Sequence, residues 1–260
     1  MGPLVAVTTT HEATESATRV ARHIAERYGW PFVARTNASL PGKTPWGERR
    51  HWIVVGQAGA RLVACEGASF AFHPGLAVVR IKRLLAGQWD PLIGVTRLCP
   101  GDSFLDCTVG LAQDSIVASH AVGEAGQVRG LEAAPEVAAV VEAGLQVYRY
   151  PDPAVETALR KVEIVPTRHE QYLASLPAGS WDVVYFDPMF RRPVSSSDGI
   201  AELRRIAMDL PVSPGAVAEA RRVARRLVVL KERVGSPEFA RLGFAVAWRG
   251  HRVALGVIEA

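Results

Sequence analysis

The chain has 260 residues, 48% of them hydrophobic, which is enough to bury the core of one large domain or of a domain with a smaller companion. No run of about 18 apolar residues predicts a membrane span, and the opening residues MGPLV lack the basic and long apolar regions of a signal peptide. The net charge of +4 permits an anionic partner without requiring one, while Cys65, Cys99 and Cys107 form no CxxC pair. We therefore expect a cytoplasmic protein with reduced thiols, and we expect neither a membrane nor a metal partner.

Residues 1–88 predict a small α+β module. A strand at Leu4 to Val7 is followed by a helix whose apolar residues recur at helical spacing until Gly29. Loop-forming residues fill 37–50, and the run HWIVVGQAGARLVACEG then predicts a β-hairpin with Gly56 to Gly59 in its turn. An amphipathic helix in LAVVRIKRLLAG completes the module.

Residues 89–260 alternate between strands and helices. Strands that run into turns appear in SFLDCTVGLAQD, GQVRGLEAAPEV, KVEIVPTRHE and WDVVYFDPMF, and the strand RLVVLKE follows a helix at 214–226. Repeated units of this length predict an α/β fold with a doubly wound, mostly parallel sheet and right-handed crossovers. The last two strands are separated only by the turn 249–252, which predicts an antiparallel hairpin at one edge.

The run LDCTVGLAQDS predicts a ligand-binding turn at the end of the first of these strands. Asp106 ends the strand, Gly110 lets the backbone approach a ligand, and Asp114 lies near the following helix. Ligands of doubly wound folds bind beyond the carboxyl ends of the strands. Because only one glycine is present, a pyrophosphate cradle of the GxGxxG kind is not predicted, and the acidic first position favours a cationic ligand. The alternative is an ordinary turn between a strand and a helix.

Polar residues follow the next two strands. Glu132 ends the second strand about 20 residues beyond Gly110, where a carboxylate can accept hydrogen bonds from both hydroxyls of a ribose. The alternative is a solvated glutamate that caps the following helix. Thr167, Arg168 and His169 follow the third strand, where an adenine edge would lie, although a histidine there is also typical of an exposed loop.

The order of these elements (acid with glycine, acid, polar turn, Asp-Pro-x-aromatic) resembles class I S-adenosylmethionine-dependent methyltransferases. The run DPMF is similar to the (Asn/Asp/Ser)-Pro-Pro-(Tyr/Phe) motif of enzymes that methylate planar nitrogens. A more specific resemblance is to the bacterial small-subunit ribosomal RNA guanine-N2 methyltransferase J family. LDCTVGLAQD is similar to that family's D-A-T-A-G-L-G-R-D run, YFDPMFRR to its Y-L-D-P-M-F-P, and LVVLKER to its V-V-V-K-R strand.

This resemblance covers about 100–235 and implies a Rossmann-like sheet with S-adenosylmethionine as the cofactor. The N-terminal module does not match the family, which implies a divergent branch. Arg191 replaces the family's proline after Phe190 and, with Arg192, adds positive charge that suits RNA phosphate. Ala133 replaces an arginine after the ribose acid, so one adenosine contact is left to backbone or apolar atoms.

The residues of DPMF suit the methylation of an exocyclic amine, whose lone pair is delocalised into the ring. Asp187 and the carbonyl of Pro188 can each accept one N–H and so turn the lone pair towards the methyl donor. Phe190 can stack on the base, and Met189 supplies apolar bulk beneath it. Most of the rate would come from positioning an activated sulfonium donor. The alternative is a buried Asp-Pro turn with a core phenylalanine.

These motifs predict an S-adenosylmethionine-dependent RNA methyltransferase that acts on guanine-N2 of ribosomal RNA, either free or within the small subunit. The alternatives are an amide-nitrogen methyltransferase of a protein substrate and a non-catalytic RNA-binding or ribosome assembly factor with the same fold. Residues 1–88 would present RNA, and 89–260 would bind the cofactor and transfer the methyl group. The basic runs RIKR (80–83) and RRVARR (221–226) are candidate phosphate contacts, but a solvated helix face is the simpler interpretation of each.

The predicted site residues fall into three sets. The catalytic residues are Asp187, Pro188 and Phe190, and the substrate-binding residues are Met189, Arg191, Arg192 and Lys231. The cofactor-binding residues are Asp106, Thr108, Gly110, Gln113, Asp114, Glu132, Ala133, Arg168, His169 and Asp187.

Overall fold

The computed structural model describes residues 4–35, 40, 50–64, 69–188 and 211–260. These residues form two compact units. The first takes in residues up to His73 together with Ala134–Pro151, and the second takes in Pro74–Ala133, 152–188 and 211–260. The predicted boundary at residue 88, between an N-terminal α+β module that presents RNA and a methyltransferase domain, stays a prediction.

The described residues contain the following elements. The strands are β1 (Leu4–Thr9), β2 (Arg50–Gly56), β3 (Gly59–Val63), β4 (Ser69–Ala71), β5 (Ser103–Asp106), β6 (Gln127–Glu132), β7 (Val162–Pro166), β8 (Trp181–Phe186), β9 (Ala224–Arg233), β10 (Ala245–Arg249) and β11 (Val253–Glu259). The helices are α1 (Glu15–Tyr28), α2 (Leu76–Leu85), α3 (Pro91–Thr96), α4 (Gln113–Val122), α5 (Pro135–Val147), α6 (Pro153–Lys161), α7 (His169–Ser175), α8 (Pro214–Val223) and α9 (Glu238–Leu242).

The first unit is built around a four-stranded sheet in the order β1-β2-β3-β4. β1 and β2 are parallel, while β2, β3 and β4 are antiparallel, and the two residues after Gly56 form the predicted hairpin turn. α1 ends where predicted, because Gly29 adopts the left-handed conformation of a helix C-cap (φ +66°). α5 packs against α1 and β3. The ring of Phe72 lies against Gly144 so closely that a Cβ there would be 2.2 Å from the ring.

The second unit contains a seven-stranded sheet in the order β10-β11-β9-β8-β5-β6-β7. The five strands from β9 to β7 run parallel, whereas β11 is antiparallel to both β9 and β10. This arrangement confirms the predicted α/β class and the antiparallel hairpin at the carboxyl end. It also inserts the last strand between β9 and β10, so the hairpin is part of the main sheet.

The order of the strands positions the site. β6 and β7 extend the sheet on one side of β5, and β8 and β9 extend it on the other, so the winding reverses at β5. In doubly wound sheets the ligand crevice opens at this point, beyond the carboxyl ends of the strands. β5 and β8 form the centre of the sheet, and their Phe104, Tyr185 and Phe186 are among the largest fully buried side chains. A well-packed centre holds the adjoining turns in place.

No helix in the described part of the chain is long and apolar enough to cross a membrane.

Candidate active site

The turn between β5 and α4 keeps space open beside its backbone. Gly110 adopts a left-handed conformation (φ +46°), which favours glycine because it lacks a Cβ. A Cβ placed there would have its nearest neighbour at 3.9 Å, the carbonyl oxygen of Thr108, so the space next to Gly110 can accept a ligand.

Asp106 is a buried carboxylate at the end of β5. One oxygen accepts a hydrogen bond from the backbone N–H of Thr108 (3.1 Å), and the other accepts one from the hydroxyl of Ser115 (2.6 Å). Burial raises the pKa of Asp106 to about 7, although these two hydrogen bonds oppose the rise. No cationic side chain among the described residues pairs with it. The position therefore suits a ligand that brings a positive charge.

Asp114, in the first turn of α4, is surrounded by donors from three other elements. Its Oδ1 accepts from the guanidinium of Arg80 (2.5 Å), and its Oδ2 accepts from the hydroxyl of Tyr185 and from Nζ of Lys231, each at 2.7 Å. Burial alone would raise the pKa of Asp114, but Lys231 and Arg80 hold it well below its ordinary value. Both oxygens of this carboxylate are therefore engaged by the protein, and its predicted cofactor contact stays a prediction.

Arg80 extends the network away from the sheet. Its guanidinium forms a two-pronged contact with Asp90, at 2.7 and 2.8 Å. The carboxylate of Asp90 also accepts from two backbone N–H groups at the start of α3 and so caps that helix. For Arg80, neither interpretation of the run RIKR was right, because this side chain is largely buried in ion pairs.

Asp187 and Pro188 follow β8 directly and lie beside the β5–α4 turn. The backbone N–H of Asp187 donates to the hydroxyl of Thr108 (2.6 Å), and its Oδ2 accepts from Nζ of Lys231 (2.7 Å). The side chain of Asp187 is 28% exposed, and among the described residues its Oδ1 has no hydrogen-bond partner. Burial raises the pKa of Asp187, with Lys231 opposing the rise and Asp114 adding to it. One acceptor oxygen is thus left for a ligand.

The turns after β6 and β7 are held side by side, because the backbone N–H of Thr167 donates to the carbonyl of Glu132 (2.9 Å). His169 is not an exposed loop histidine, since only 12% of its side chain is exposed. Its ring lies edge-on to Phe186, and its buried Nε2 is 3.5 Å from a carboxylate oxygen of Glu170 without a well-formed hydrogen bond. Burial lowers the pKa of His169. A neutral ring suits a contact with an uncharged ligand edge.

Apart from Gly110 and Pro188, the predicted residues that the structure describes lie in three places. Asp106, Thr108, Asp114, Asp187 and Lys231 form one connected group around the ends of β5, β8 and β9. A second group lies at the ends of β6 and β7 and consists of Glu132, Ala133, Arg168 and His169. Gln113 begins α4 and lies next to Gly75. Met189, Phe190, Arg191 and Arg192 lie outside the described residues, as does Cys65. The roles predicted for all of these residues stay predictions.

Sequence reasoning missed four residues that shape the site. Arg80, Ser115 and Tyr185 lie in runs quoted above, but nothing in those runs shows that they contact the two aspartates. Ser115 meets Asp106 within the β5–α4 segment, whereas only the fold brings Arg80 and Tyr185 to Asp114. Ala112 did leave a signal, because the family run D-A-T-A-G-L-G-R-D has its second glycine at this position. Ala112 is one of two described non-glycine residues in the left-handed region (φ +59°), so the turn keeps the glycine conformation without the glycine.

The residues of this site fit S-adenosylmethionine. Asp106 offers a carboxylate for an ammonium group, the space beside Gly110 admits a close ligand, and Glu132 ends the adjacent strand, where ribose hydroxyls are bound in such sheets. Within the described ranges, no group of three or more His, Cys, Asp or Glu residues is arranged to hold a metal ion.

Comparisons with known proteins show the family of the chain. A family model described as "Putative SAM-dependent methyltransferase" matches residues 90–232. The Bacillus subtilis (strain 168) protein YpiP, which is described as uncharacterized, is 39% identical over 243 residues, 94% of each chain. Ribosomal RNA small subunit methyltransferase J of Laribacter hongkongensis (strain HLHK9) is 33% identical over 138 residues, 51% of this chain and 47% of its own length.

A solved structure has the same fold. The SAM-dependent methyltransferase NGO1261 from Neisseria gonorrhoeae superposes with a TM-score of 0.62 at 18% identity, covering 98% of this chain and 95% of its own. The match to the family model spans more than half of the chain. The chain therefore belongs to this family of SAM-dependent methyltransferases, and its cofactor is S-adenosylmethionine.

Proposed function

We propose that the protein transfers a methyl group from S-adenosylmethionine to the exocyclic N2 amine of a guanine in ribosomal RNA. The observation that carries this proposal is the acceptor pair at the end of β8. The Oδ1 oxygen of Asp187 and the carbonyl of Pro188 follow one strand end, next to the turn that fits the cofactor. With ribosomal RNA as the substrate, we also propose a cytoplasmic location.

Two acceptors are what an exocyclic amine requires. When both N–H bonds donate to fixed acceptors, the lone pair on nitrogen is turned out of the ring plane, where it can attack. Asp187 is the charged acceptor, and Pro188 supplies a carbonyl whose direction is restrained by its ring. The cofactor, when bound, supplies a methyl group activated by a sulfonium. Phe190 would stack on the base, and Met189 would contact it from below.

The remaining site residues have proposed roles on the cofactor. Asp106 would bind its ammonium group, and Glu132 would accept hydrogen bonds from the ribose hydroxyls. The backbone of the turn at Thr108, Gly110 and Gln113 would line the methionine portion. Ala133, Arg168 and His169 would surround the adenine, and the low pKa of His169 keeps its ring neutral for that contact.

Two further observations support RNA as the substrate class. The relative from Laribacter hongkongensis is a ribosomal RNA methyltransferase, and its similarity to this chain spans 138 residues. The tip of the β10–β11 hairpin carries Arg249, His251 and Arg252, all exposed, and no Asp or Glu occurs between residues 239 and 258. Positive charge without local carboxylates is what phosphate contacts need. Arg191 and Arg192 would add to it.

The proposal is tested in cells that lack the gene. Nucleosides from their small-subunit ribosomal RNA are measured by mass spectrometry beside those from the parent strain and from a strain carrying Asp187→Ala. We expect one N2-methylguanosine to be missing in both altered strains and restored by the wild-type gene. Unchanged ribosomal RNA together with a lost methyl group on a protein amide would instead favour the amide-nitrogen alternative.

A further inference from the structure

Five side chains of the second unit form a continuous chain of alternating charge. It runs from Asp90 through Arg80, Asp114 and Lys231 to Asp187, and each link is an ion pair with a contact of 2.5 to 2.7 Å. Lys231 is the link that joins the α4 turn to the end of β8, because its Nζ is 2.7 Å from Asp114 and from Asp187. Such a chain in a largely buried place is costly unless every charge is paired.

We propose that Lys231 is a positioning residue for methyl transfer: held by Asp114, it keeps Asp187 ionised and fixes it with Oδ1 free to accept the amine of the substrate. This inference rests on the proposed role of Asp187 as an acceptor. It gives Lys231 a task other than the direct substrate contact predicted from the sequence, and it gives Asp114 a task in the reaction that acts through Lys231.

Asp187 must accept, and not donate, a hydrogen bond at Oδ1 in order to hold the amine of the substrate. Only the ionised form is an acceptor at both oxygens, whereas a protonated carboxyl donates from one of them. The titratable and charged groups that face this place are Asp106 on β5, Asp114 on α4, Tyr185 on β8, Lys231 and Glu232 on β9, and Arg80 on α2. Three of these are carboxylates that disfavour a further negative charge. Lys231 is the cation that contacts Asp187 directly, so its removal would favour the protonated, donating form.

Asp187 is held at two points by the protein. The backbone of Asp187 is fixed by its hydrogen bond to Thr108, and its side chain is fixed by Lys231 through Oδ2 alone. A carboxylate held at these two points has one oxygen left in a defined direction. An acceptor that is held before the substrate arrives loses little freedom when the reaction begins.

Lys231 is itself held in place by its other partner, Asp114. A lysine side chain has several rotatable bonds, and one contact would not hold it still. Asp114 is in turn fixed by Tyr185 and by Arg80. The other nitrogens of the Arg80 guanidinium donate to Asp90, which caps the start of α3. Lys231 is therefore held by Asp114 of α4, which is itself held by Arg80 of α2. Its positive charge stays in a fixed position beside Asp187. A lysine that simply neutralised the core would need no such anchor.

The experiment measures the titration of the Asp187 carboxyl carbon by NMR in the full-length protein, with Asp187→Asn used to assign the signal. The variants are Lys231→Met, which keeps the stem without the charge, Lys231→Arg, which keeps the charge, and Asp114→Asn, which weakens the anchor. Lys161→Met is the matched control, since Lys161 also binds partly buried oxygens, the carbonyls of Gly123 and Gly126, but at the start of β7 on the opposite edge of the sheet.

We expect the midpoint for Asp187 to rise by at least about one pH unit in Lys231→Met, the scale of losing an adjacent charge. In Asp114→Asn the loosened Lys231 raises the midpoint while the loss of the Asp114 charge lowers it, so the midpoint should move less than in Lys231→Met. It should stay close to the wild type in Lys231→Arg and Lys161→Met. An unchanged midpoint in a folded Lys231→Met protein would overturn the proposal. Because this readout needs no substrate, it decides the proposal even if the wild-type protein methylates no RNA, a result that would overturn the proposed function instead.

Kinetics with ribosomal RNA from a strain lacking the gene provide the second readout. Lys231→Met should lower kcat about tenfold or more at neutral pH and move the acidic limb of the pH profile upwards, while Lys231→Arg retains most activity. In an Asp187→Asn background the same Lys231→Met change should have little further effect, because residues that act through one another are not additive. Independent, multiplying losses in the double variant would contradict the positioning role.

Discussion

Asp106 and Asp114 lie at the two ends of the same turn, yet their surroundings set opposite protonation behaviour. Asp114 contacts two cations and stays ionised far into the acidic range. Asp106 contacts only a hydroxyl and a backbone N–H, and burial brings its pKa to about 7. The difference supports proposing different tasks for the two carboxylates: Asp114 completes an internal network, and Asp106 would respond to a ligand.

The affinity for S-adenosylmethionine should therefore depend on pH through Asp106. A bound ammonium group favours the ionised carboxylate, so binding below pH 7 must first release a proton, and affinity should fall by up to tenfold per pH unit as the pH drops below about 7. Above about pH 8 it should fall again, because an α-amino group itself loses its charge there. Calorimetry across this range, in buffers of different ionisation heat, measures both the affinity and the protons released.

Asp106→Asn is the control for this profile. It keeps the shape of the side chain but removes its titration, so the acidic limb should disappear along with much of the affinity. An acidic limb that persists in Asp106→Asn would assign the dependence to another group.

Replacing Ala112 with glycine should change the free energy of unfolding less than glycine usually does at a buried alanine. The left-handed conformation of Ala112 costs an L-residue about 1–2 kcal/mol. Ala112→Gly removes this strain but loses a buried methyl, about 0.8 kcal/mol, and adds freedom to the unfolded chain, about 0.4–1 kcal/mol. We expect the free energy of unfolding to change by less than about 1 kcal/mol. Ala118→Gly, at an equally buried position inside α4, has no strain to relieve and should cost about 1.5 kcal/mol. Equal losses in denaturant unfolding would refute the strain at Ala112.

At the scale of elements, the tip of the β10–β11 hairpin lies at the carboxyl ends of the parallel strands, where the site also lies. Val253 begins β11 opposite Arg233, the last residue of β9, so the turn at 250–252 sits at the carboxyl end of β9. Asp106, Glu132 and Asp187 lie at the carboxyl ends of their own parallel strands. The exposed arginines of the tip and the proposed acceptors therefore lie at the same end of the parallel strands.

A single charge reversal tests this surface. Arg252→Glu should weaken RNA binding roughly tenfold and reduce the slope of log K against log salt by about 0.7–0.9, the value of one phosphate contact. Arg221→Glu is the matched control, because Arg221 is also exposed but lies near the end of α8, which leads to the opposite edge of the sheet. Both changes alter the net charge equally. Equal weakening by the two variants would show that only the overall charge attracts RNA.

At the scale of the whole molecule, the residues at the strand ends could be predicted from the sequence better than the side chains that contact them. Asp106 and Asp187 could be placed because each follows a short buried run that ends in a turn. The pairing of Lys231 with Asp114, which are 117 positions apart, could not, because it depends on β8 lying between β5 and β9. The burial of Arg80 was missed for a different reason, since a helix that is amphipathic in sequence does not reveal which of its basic residues forms buried ion pairs.

Local sequence patterns also could not show that α5 belongs to the first unit. α5 reads as one more helix of the alternating series, yet it packs on β3 and α1 of the first unit and is buried along most of its length. Removing residues 1–73 would leave those apolar side chains without their partners. We expect the truncated protein to unfold at a markedly lower temperature than the full chain, or to aggregate, in scanning calorimetry. An unaltered Tm would show that residues 74–260 need nothing from residues 1–73.

The central claim is that Asp187 directs methyl transfer to a guanine amine, and one measurement tests it most directly. Purified wild-type protein and Asp187→Ala are given S-adenosylmethionine with an isotope-labelled methyl group and ribosomal RNA from a strain lacking the gene, and labelled nucleosides are identified by mass spectrometry. The wild type should label guanine-N2 alone. Asp187→Ala should fold normally but lose roughly two or more orders of magnitude in rate, the scale of removing one positioned hydrogen bond in a transition state. Normal turnover by a well-folded Asp187→Ala protein, or label on another atom, would contradict the claim.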